Sequence, residues 1–175
     1  NPQDISLTFS GLAKLEYKKE DLNLEELIKQ INKKIEDFES QNITNAFNGL
    51  GELGYKKEDL KDLNLEELIK QINKKIEDFE PQHITNTLHG LGKIGYKFYD
   101  LKESNIIPNL LEKFNSTQKD KNILNYLILM EGLMDIVYDN QQKLTDEQKR
   151  YLSQLKKSIN KYVEQIVKEA VNKHN

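Results

Sequence analysis

The chain of 175 residues has no cysteine. That absence removes disulfides, thiolate nucleophiles and cysteine-ligated zinc together, and it suits a reducing compartment. No run of about 18 apolar residues occurs, so a membrane span is not expected. The opening NPQDISLTFS lacks a charged region followed by an apolar stretch, which argues against a signal peptide. A glycine-rich phosphate loop and a nucleophile elbow are also missing. His83 and His89 stand six residues apart; they project from different sides of a helix and have no third ligand, so the zinc-helix pattern is not met. His174 is expected to sit in a fraying tail. The many carboxylates sit on helical faces balanced by lysine, the pattern of solvated surface rather than of acid–base pairs. A soluble, cytosolic, non-enzymatic chain with no catalytic residue, metal site or cofactor is the expectation.

What the chain has in quantity is repetition. NLEELIKQINKKIEDFE runs from Asn23 to Glu39 and again from Asn64 to Glu80, 17 identical residues. A flanking motif appears three times, as QDISLTFSGLAKLEY from Gln3, QNITNAFNGLGELGY from Gln41 and QHITNTLHGLGKIGY from Gln82. Gly11, Gly49 and Gly90 fall in register, 38 and 41 residues apart. The difference is the inserted Lys61-Asp62-Leu63, which a loop absorbs at little cost. Such duplication predicts an all-α fold: an α-solenoid of helical hairpin repeats of about 38–41 residues each, closed by two C-terminal capping helices. The units are 1–39, 40–80 and 81–114, and the cap is 115–175.

Each unit reads as two helices. In the second, Leu24, Leu27, Ile28, Ile31, Ile35 and Phe38 form an apolar stripe of helical period, with Asn23 and Asn64 as N-caps and Glu26 and Glu67 completing capping boxes. The first helices open at Pro2, Ser40 and Pro81, and the second and third copies close near Gly54 and Gly95; Glu16 takes that glycine position in the first copy. Ile5, Thr8, Phe9, Leu12 and Leu15 share a face assigned to the core, as do Ile43, Ala46, Phe47, Leu50 and Leu53. Gly11, Gly49 and Gly90 lie inside helices, where glycine costs about 1 kcal/mol against alanine, so a neighbouring helix is expected to approach closely there. After Tyr96 the repeat decays, leaving IIPNLLEKF with Pro108 in the first turn. Residues 116–139 read as an apolar helix covered on more than one side. A last helix from Thr145 buries Leu152, Leu155, Ile159, Val163, Ile166 and Ala170 and exposes Lys149, Arg150, Lys156, Lys157, Lys161 and Lys168. That basic face is either a solvated cap surface or a patch for an anionic partner.

Charge is unevenly spread: residues 1–101 carry 14 lysines against 19 acidic side chains, and residues 141–175 carry 8 basic against 4 acidic ones. Acidic repeats argue mildly against nucleic acid, whose phosphates require a positive footprint. The first helices differ between copies along one stripe: Gln3, Leu7, Ser10 and Lys14, then Gln41, Asn45, Asn48 and Glu52, then Gln82, Asn86, His89 and Lys93. These positions fall within about 60° of one another on a helix, so stacked first helices should align them opposite the apolar face. Asn45, Asn48, Glu52, Asn86, His89, Lys93, Ser10 and Lys14 are the candidate ligand-binding residues; amides suit a peptide backbone or base edges, although polar residues also fill any solvated face.

The pattern Pro-Gln-x-Ile-x-Asn-x-Leu-x-Gly-Leu-Gly-Lys-x-Gly-Tyr, from Pro81 to Tyr96, resembles octotricopeptide-type repeats. Their relatives include the helical repeats preceding RAP domains in organelle proteins and arrays in large proteins of intracellular bacteria such as rickettsiae. The resemblance covers about residues 1–114 and its period matches the spacing of 38. It implies antiparallel helix pairs stacked into a right-handed superhelix. Organelle members are thought to bind RNA along the first helices, which points to Asn45, Asn48, Asn86 and His89. Arrays in intracellular bacteria look like protein-contacting effector modules, placing the chain in bacterial or host cytosol. A protein partner is the leading expectation, single-stranded RNA the alternative and self-association a third; no membrane partner is expected.

Overall fold

A computed structural model describes residues 1–117 and 123–137, with Ser153, Lys157, Asn160, Lys161, Glu164 and Lys168 as single positions beyond them. Among the described residues all regular structure is helical: α1 (Pro2–Lys14), α2 (Glu25–Lys34), α3 (Ser40–Glu52), α4 (Leu65–Lys74), α5 (Pro81–Ile94), α6 (Phe98–Leu101), α7 (Ile106–Thr117) and α8 (Ile123–Val137). Short 3₁₀ turns at Lys19–Asp21, Ile35–Asp37, Lys57–Asp59 and Ile76–Asp78 join them.

The helices start where the sequence offers caps. Asn1 and Asp4 form a reciprocal capping box on α1, and the N–H groups of Glu39 and Glu80 at the heads of α3 and α5 donate to Asn42 Oδ1 and His83 Nδ1, which fixes the helix starts. Asn64 caps α4 by accepting the Glu67 N–H at 3.2 Å. Asn23 behaves differently from expectation. Its Oδ1 accepts the Glu25 N–H, two residues on, and α2 begins at Glu25 without a side-chain cap. The backbone N–H of Asn64 is held by Asn32 Oδ1 at 2.8 Å; among the described residues nothing holds Asn23 in the same way. At their C-termini α3 and α5 turn out through Gly54 (φ +89°) and Gly95 (φ +94°), while α1 does so through Glu16 at φ +62°.

The first helices lie side by side, α1 against α3, α3 against α5 and α5 against α8. The second helices form a parallel row, in which α4 meets the turn after α2 and α7 meets α4 and the turn after it. Between the rows runs one continuous apolar cluster, from Phe9, Ile31 and Phe38 through Phe47, Leu50, Ile72 and Leu91 to Phe114, Leu133 and Ile136. Each such side chain contributes about 1.5–3 kcal/mol by leaving water. Met134 on α8 is exposed, so that helix is not covered all round.

Contact between first helices is backbone against backbone. A Cβ on Gly49 would lie 2.6 Å from the Phe9 Cβ and 2.9 Å from the Phe9 carbonyl carbon; on Gly90, 2.5 Å from the Phe47 carbonyl carbon; on Gly132, 2.6 Å from the His89 nitrogen. Gly11 breaks the expected pattern, since a Cβ there meets nothing within 4 Å. On the same side Thr8 is exposed and Leu15 is 72% exposed, whereas their equivalents Ala46, Thr87, Leu53 and Ile94 are fully buried. The assignment of Thr8 and Leu15 to the core is thereby corrected: among the described residues no helix lies on that side of α1.

Side chains tie successive units at two further levels. Asn32 Nδ2 donates to the Asp62 carbonyl at 2.6 Å, and Asn73, its twin, donates to the Ser104 carbonyl at 2.6 Å. Asp59 and Asp100 each accept the N–H at the head of their own turn, from Lys56 and Lys97, and each receives a lysine from the preceding unit, Lys19 at 2.7 Å and Lys57 at 2.5 Å. Lys19 and then the Lys56 N–H hold the Asp59 carboxyl below its ordinary value. Ion pairs at such exposure add little energy; their effect is to set register.

Two outcomes follow from this packing. Gly90→Ala should destabilise the chain by about 1–3 kcal/mol in urea unfolding, because its neighbours are backbone atoms that cannot rotate away. Glu16→Gly should stabilise it by about 1 kcal/mol in the same measurement, by relieving a left-handed residue that carries a Cβ.

Candidate binding face

The residue just before each close-packed glycine is carried with it, so Asn48, His89 and Glu131 stand at equivalent positions in α3, α5 and α8, and Ser10 holds the same position in α1 ahead of the open Gly11. One turn on, Lys14, Glu52, Lys93 and Asp135 form a second row, and one turn back Leu7, Asn45, Asn86 and Ile128 form a third. Register across the rows comes from the glycine contacts. Paired glycines divide the work: Gly49 and Gly90 receive the preceding helix, while Gly51 and Gly92 receive the following one, Gly51 beside Lys93 Cβ at 2.8 Å and Gly92 beside Asp135 Cβ at 2.7 Å.

The stripe is thus assembled, but it is half-buried rather than fully exposed. Asn45, Asn48, Asn86, His89, Lys93 and Ser10 are of intermediate exposure; Lys14, Glu52, Gln3, Gln41 and Gln82 are exposed, and Leu7 is 48% exposed. Neighbouring helices shield each other's flanks at this spacing. Among the described residues no hydrogen bond reaches the side-chain amides of Asn45, Asn48 or Asn86.

The charged members do find partners. Lys93 Nζ lies 2.6 Å from Glu52 Oε1, to which His89 Nε2 also comes within 3.4 Å. On its other side His89 Nδ1 faces Glu131 Oε2 at 3.8 Å, and Nδ1 is itself shielded from solvent with no hydrogen bond. Partial burial works to raise the Glu52 carboxyl, yet Lys93 and then His89 outweigh it and hold the group below its ordinary value. Glu52, His89 and Lys93 therefore act as one cluster bridging α3 to α5 and reaching α8.

Glu131 and Asp135 join this face although they were not among the candidates picked from the sequence. The available signal was Glu131-Gly132-Leu133, which repeats Asn48-Gly49-Leu50 and His89-Gly90-Leu91 at a distance of 42 residues. His83 belongs elsewhere: its Nδ1 accepts the Glu80 N–H at 3.3 Å and its ring meets Phe79 edge-on. Among the described residues no group of three or more His, Cys, Asp or Glu could hold a metal ion, and no helix is long and apolar enough to cross a membrane.

The model of one family matches this chain. It is described as Protein of unknown function (DUF1601), and it matches residues 18–47 and 54–88. No curated protein matches the chain, and no solved structure does. Both DUF1601 segments start in a loop ahead of a second helix and end inside the next first helix, at the equivalent residues Phe47 and Leu88. They include Asn45 and Asn86 and stop just short of Asn48 and His89.

Of the basic candidates, Lys157, Lys161 and Lys168 are helical and exposed, on one face with Ser153 and Glu164. Lys149, Arg150 and Lys156 lie outside the described residues. A surface hollow of 440 Å³ lies over the inserted Lys61-Asp62-Leu63, away from the stripe.

The ion-pair cluster has a pH signature. Because the folded-state pKa of Glu52 is depressed, its contribution to stability is present above the unfolded carboxylate value and is lost as pH falls through the folded one. Lys93→Ala should raise the Glu52 pKa, read by carboxyl ¹³C NMR titration, and should make stability fall less on acidification than it does in the parent chain.

Proposed function

We propose that the chain is a non-catalytic binding scaffold, an α-solenoid of octotricopeptide-like hairpins that engages a protein partner through its first-helix face. In this reading the units 1–39, 40–80 and 81–114 stack in order. Beyond them α8 stands where a fourth first helix would. The setting implied by the family resemblance is bacterial cytosol, or host cytosol for a secreted effector.

The observation that carries the reading is the row of amides from Asn45, Asn48 and Asn86, half-buried between stacked helices and unbonded among the described residues. Among the described residues none of these amide atoms is buried without a partner, so they stay open to water and ready for a partner, each bond formed adding about 0.5–1.5 kcal/mol net. Each amide offers both donor and acceptor, as an extended peptide backbone requires. RNA is the weaker fit. Lys93 already neutralises Glu52, and Glu52, Glu131 and Asp135 line the same face, so a polyanion would meet carboxylates where it needs cations.

The test is the triple variant Asn45→Ala, Asn48→Ala, Asn86→Ala. Its helical content and thermal stability should equal or exceed those of the parent, since no internal bond is lost and alanine favours helix. Capture of protein partners by the parent should be lost at least tenfold in the variant. Retained capture would refute the assignment. Tight binding of single-stranded RNA that weakens steeply between about 50 and 200 mM salt would give the face to nucleic acid instead.

A further inference from the structure

We infer that the outward side of α1 is a docking surface for another first helix of the same repeat type, carried by an adjoining repeat unit. The inference stands on the packing and is independent of what binds the amide row.

The first glycine of each unit receives the backbone of a preceding helix in three cases: Gly49 takes Phe9–Ser10, Gly90 takes Phe47–Asn48, and Gly132 takes Leu88–His89. Gly11 is the fourth member of that series, and its notch is open. A glycine inside an exposed helix costs about 1 kcal/mol with no return unless something fills the space its missing side chain leaves. Beside the notch, Leu15 is 72% exposed and Thr8 is exposed, at positions whose equivalents are buried wherever a preceding helix is present.

Polar groups around the notch repeat the same vacancy. Asp59 and Asp100 each receive a lysine from the unit before them. Asp21 is their equivalent; it accepts the Lys18 N–H at 3.1 Å, and among the described residues no lysine reaches it. Asn64 has its backbone N–H held by the preceding Asn32, and among the described residues Asn23 has no such neighbour. The occupant is thereby specified. It offers a bulky apolar residue and a polar one ahead of its own glycine, a lysine for Asp21 and an asparagine for Asn23, which is the content of the repeat itself.

The opposite end excludes a simple head-to-tail copy. Gly51 and Gly92, which admit the following helix, correspond in α8 to Met134, 61% exposed. A methionine there fills the space into which the next helix would have to come. The α8 of a second chain therefore cannot dock on α1 in the geometry used inside the molecule, whereas a unit with a small residue at that position can, as Ala13 does between α1 and α3.

The test joins a copy of residues 40–79 ahead of Asn1, which keeps phase because Asn1 caps α1 as Glu80 caps α5. The extended chain should unfold in one transition with a higher Tm than the parent. Gly11→Leu should lower the Tm of the extended chain by at least about 4 °C, and Asp21→Ala should lower it by less. Neither substitution should lower the Tm of the 175-residue chain. A separate low-temperature transition for the added unit, or equal effects of Gly11→Leu in both chains, would overturn the inference. Sedimentation of the parent chain should show a monomer; a dimer dissolved by Gly11→Leu would assign the surface to a second copy and overturn it as well.

Discussion

The arrangement depends on first helices that touch backbone to backbone at glycine. Ordinary helix pairs lie about 8–10 Å apart because side chains separate them; at Gly49, Gly90 and Gly132 there is no room even for a Cβ. The tolerance of such a contact is small. A slip of one residue along either helix would bring a side chain into the notch, so each glycine fixes both spacing and register. The apolar cluster supplies most of the driving force, but a greasy interface alone would allow sliding.

Register then propagates outward. The Asn32 and Asn73 bonds hold each second helix to the next unit's loop, and the Lys19–Asp59 and Lys57–Asp100 pairs hold successive turns. On the amide face the same register brings Glu52 to Lys93 and His89, and His89 to Glu131. The electrostatic character of that face is thus a property of neighbouring helices together. Single-helix charge counts misjudge it, because a lysine in α5 is cancelled by a carboxylate in α3.

Much of this was legible in the residues. The three first helices begin at Pro2, Ser40 and Pro81 as their sequence indicates, and Gly54 and Gly95 terminate theirs with positive φ as expected of glycine after a helix. The amphipathic period identified the buried face of α2 and α4. What misled was symmetry: Thr8 and Leu15 look like Ala46 and Leu53, and Asn23 looks like Asn64, yet among the described residues each lacks the preceding neighbour that gives its twin a partner. The reverse error concealed α8. Gly132 continues the glycine series, but the residues around it have drifted to Met and Asp, so its place beside α5 was hidden by a run of apolar residues that resembles a separate element.

Local chemistry by itself determined the helices, their ends and their apolar stripes, since caps, glycine and a 3.6-residue period act within a few residues of one another. Tertiary structure alone decided which copies of an identical motif are buried, which carboxylate meets which cation, and which of two similar glycines faces a neighbour and which faces open space. Those outcomes belong to pairs of helices about 40 residues apart. No single copy of the motif contains the information, because burial and pairing are set by what lies alongside.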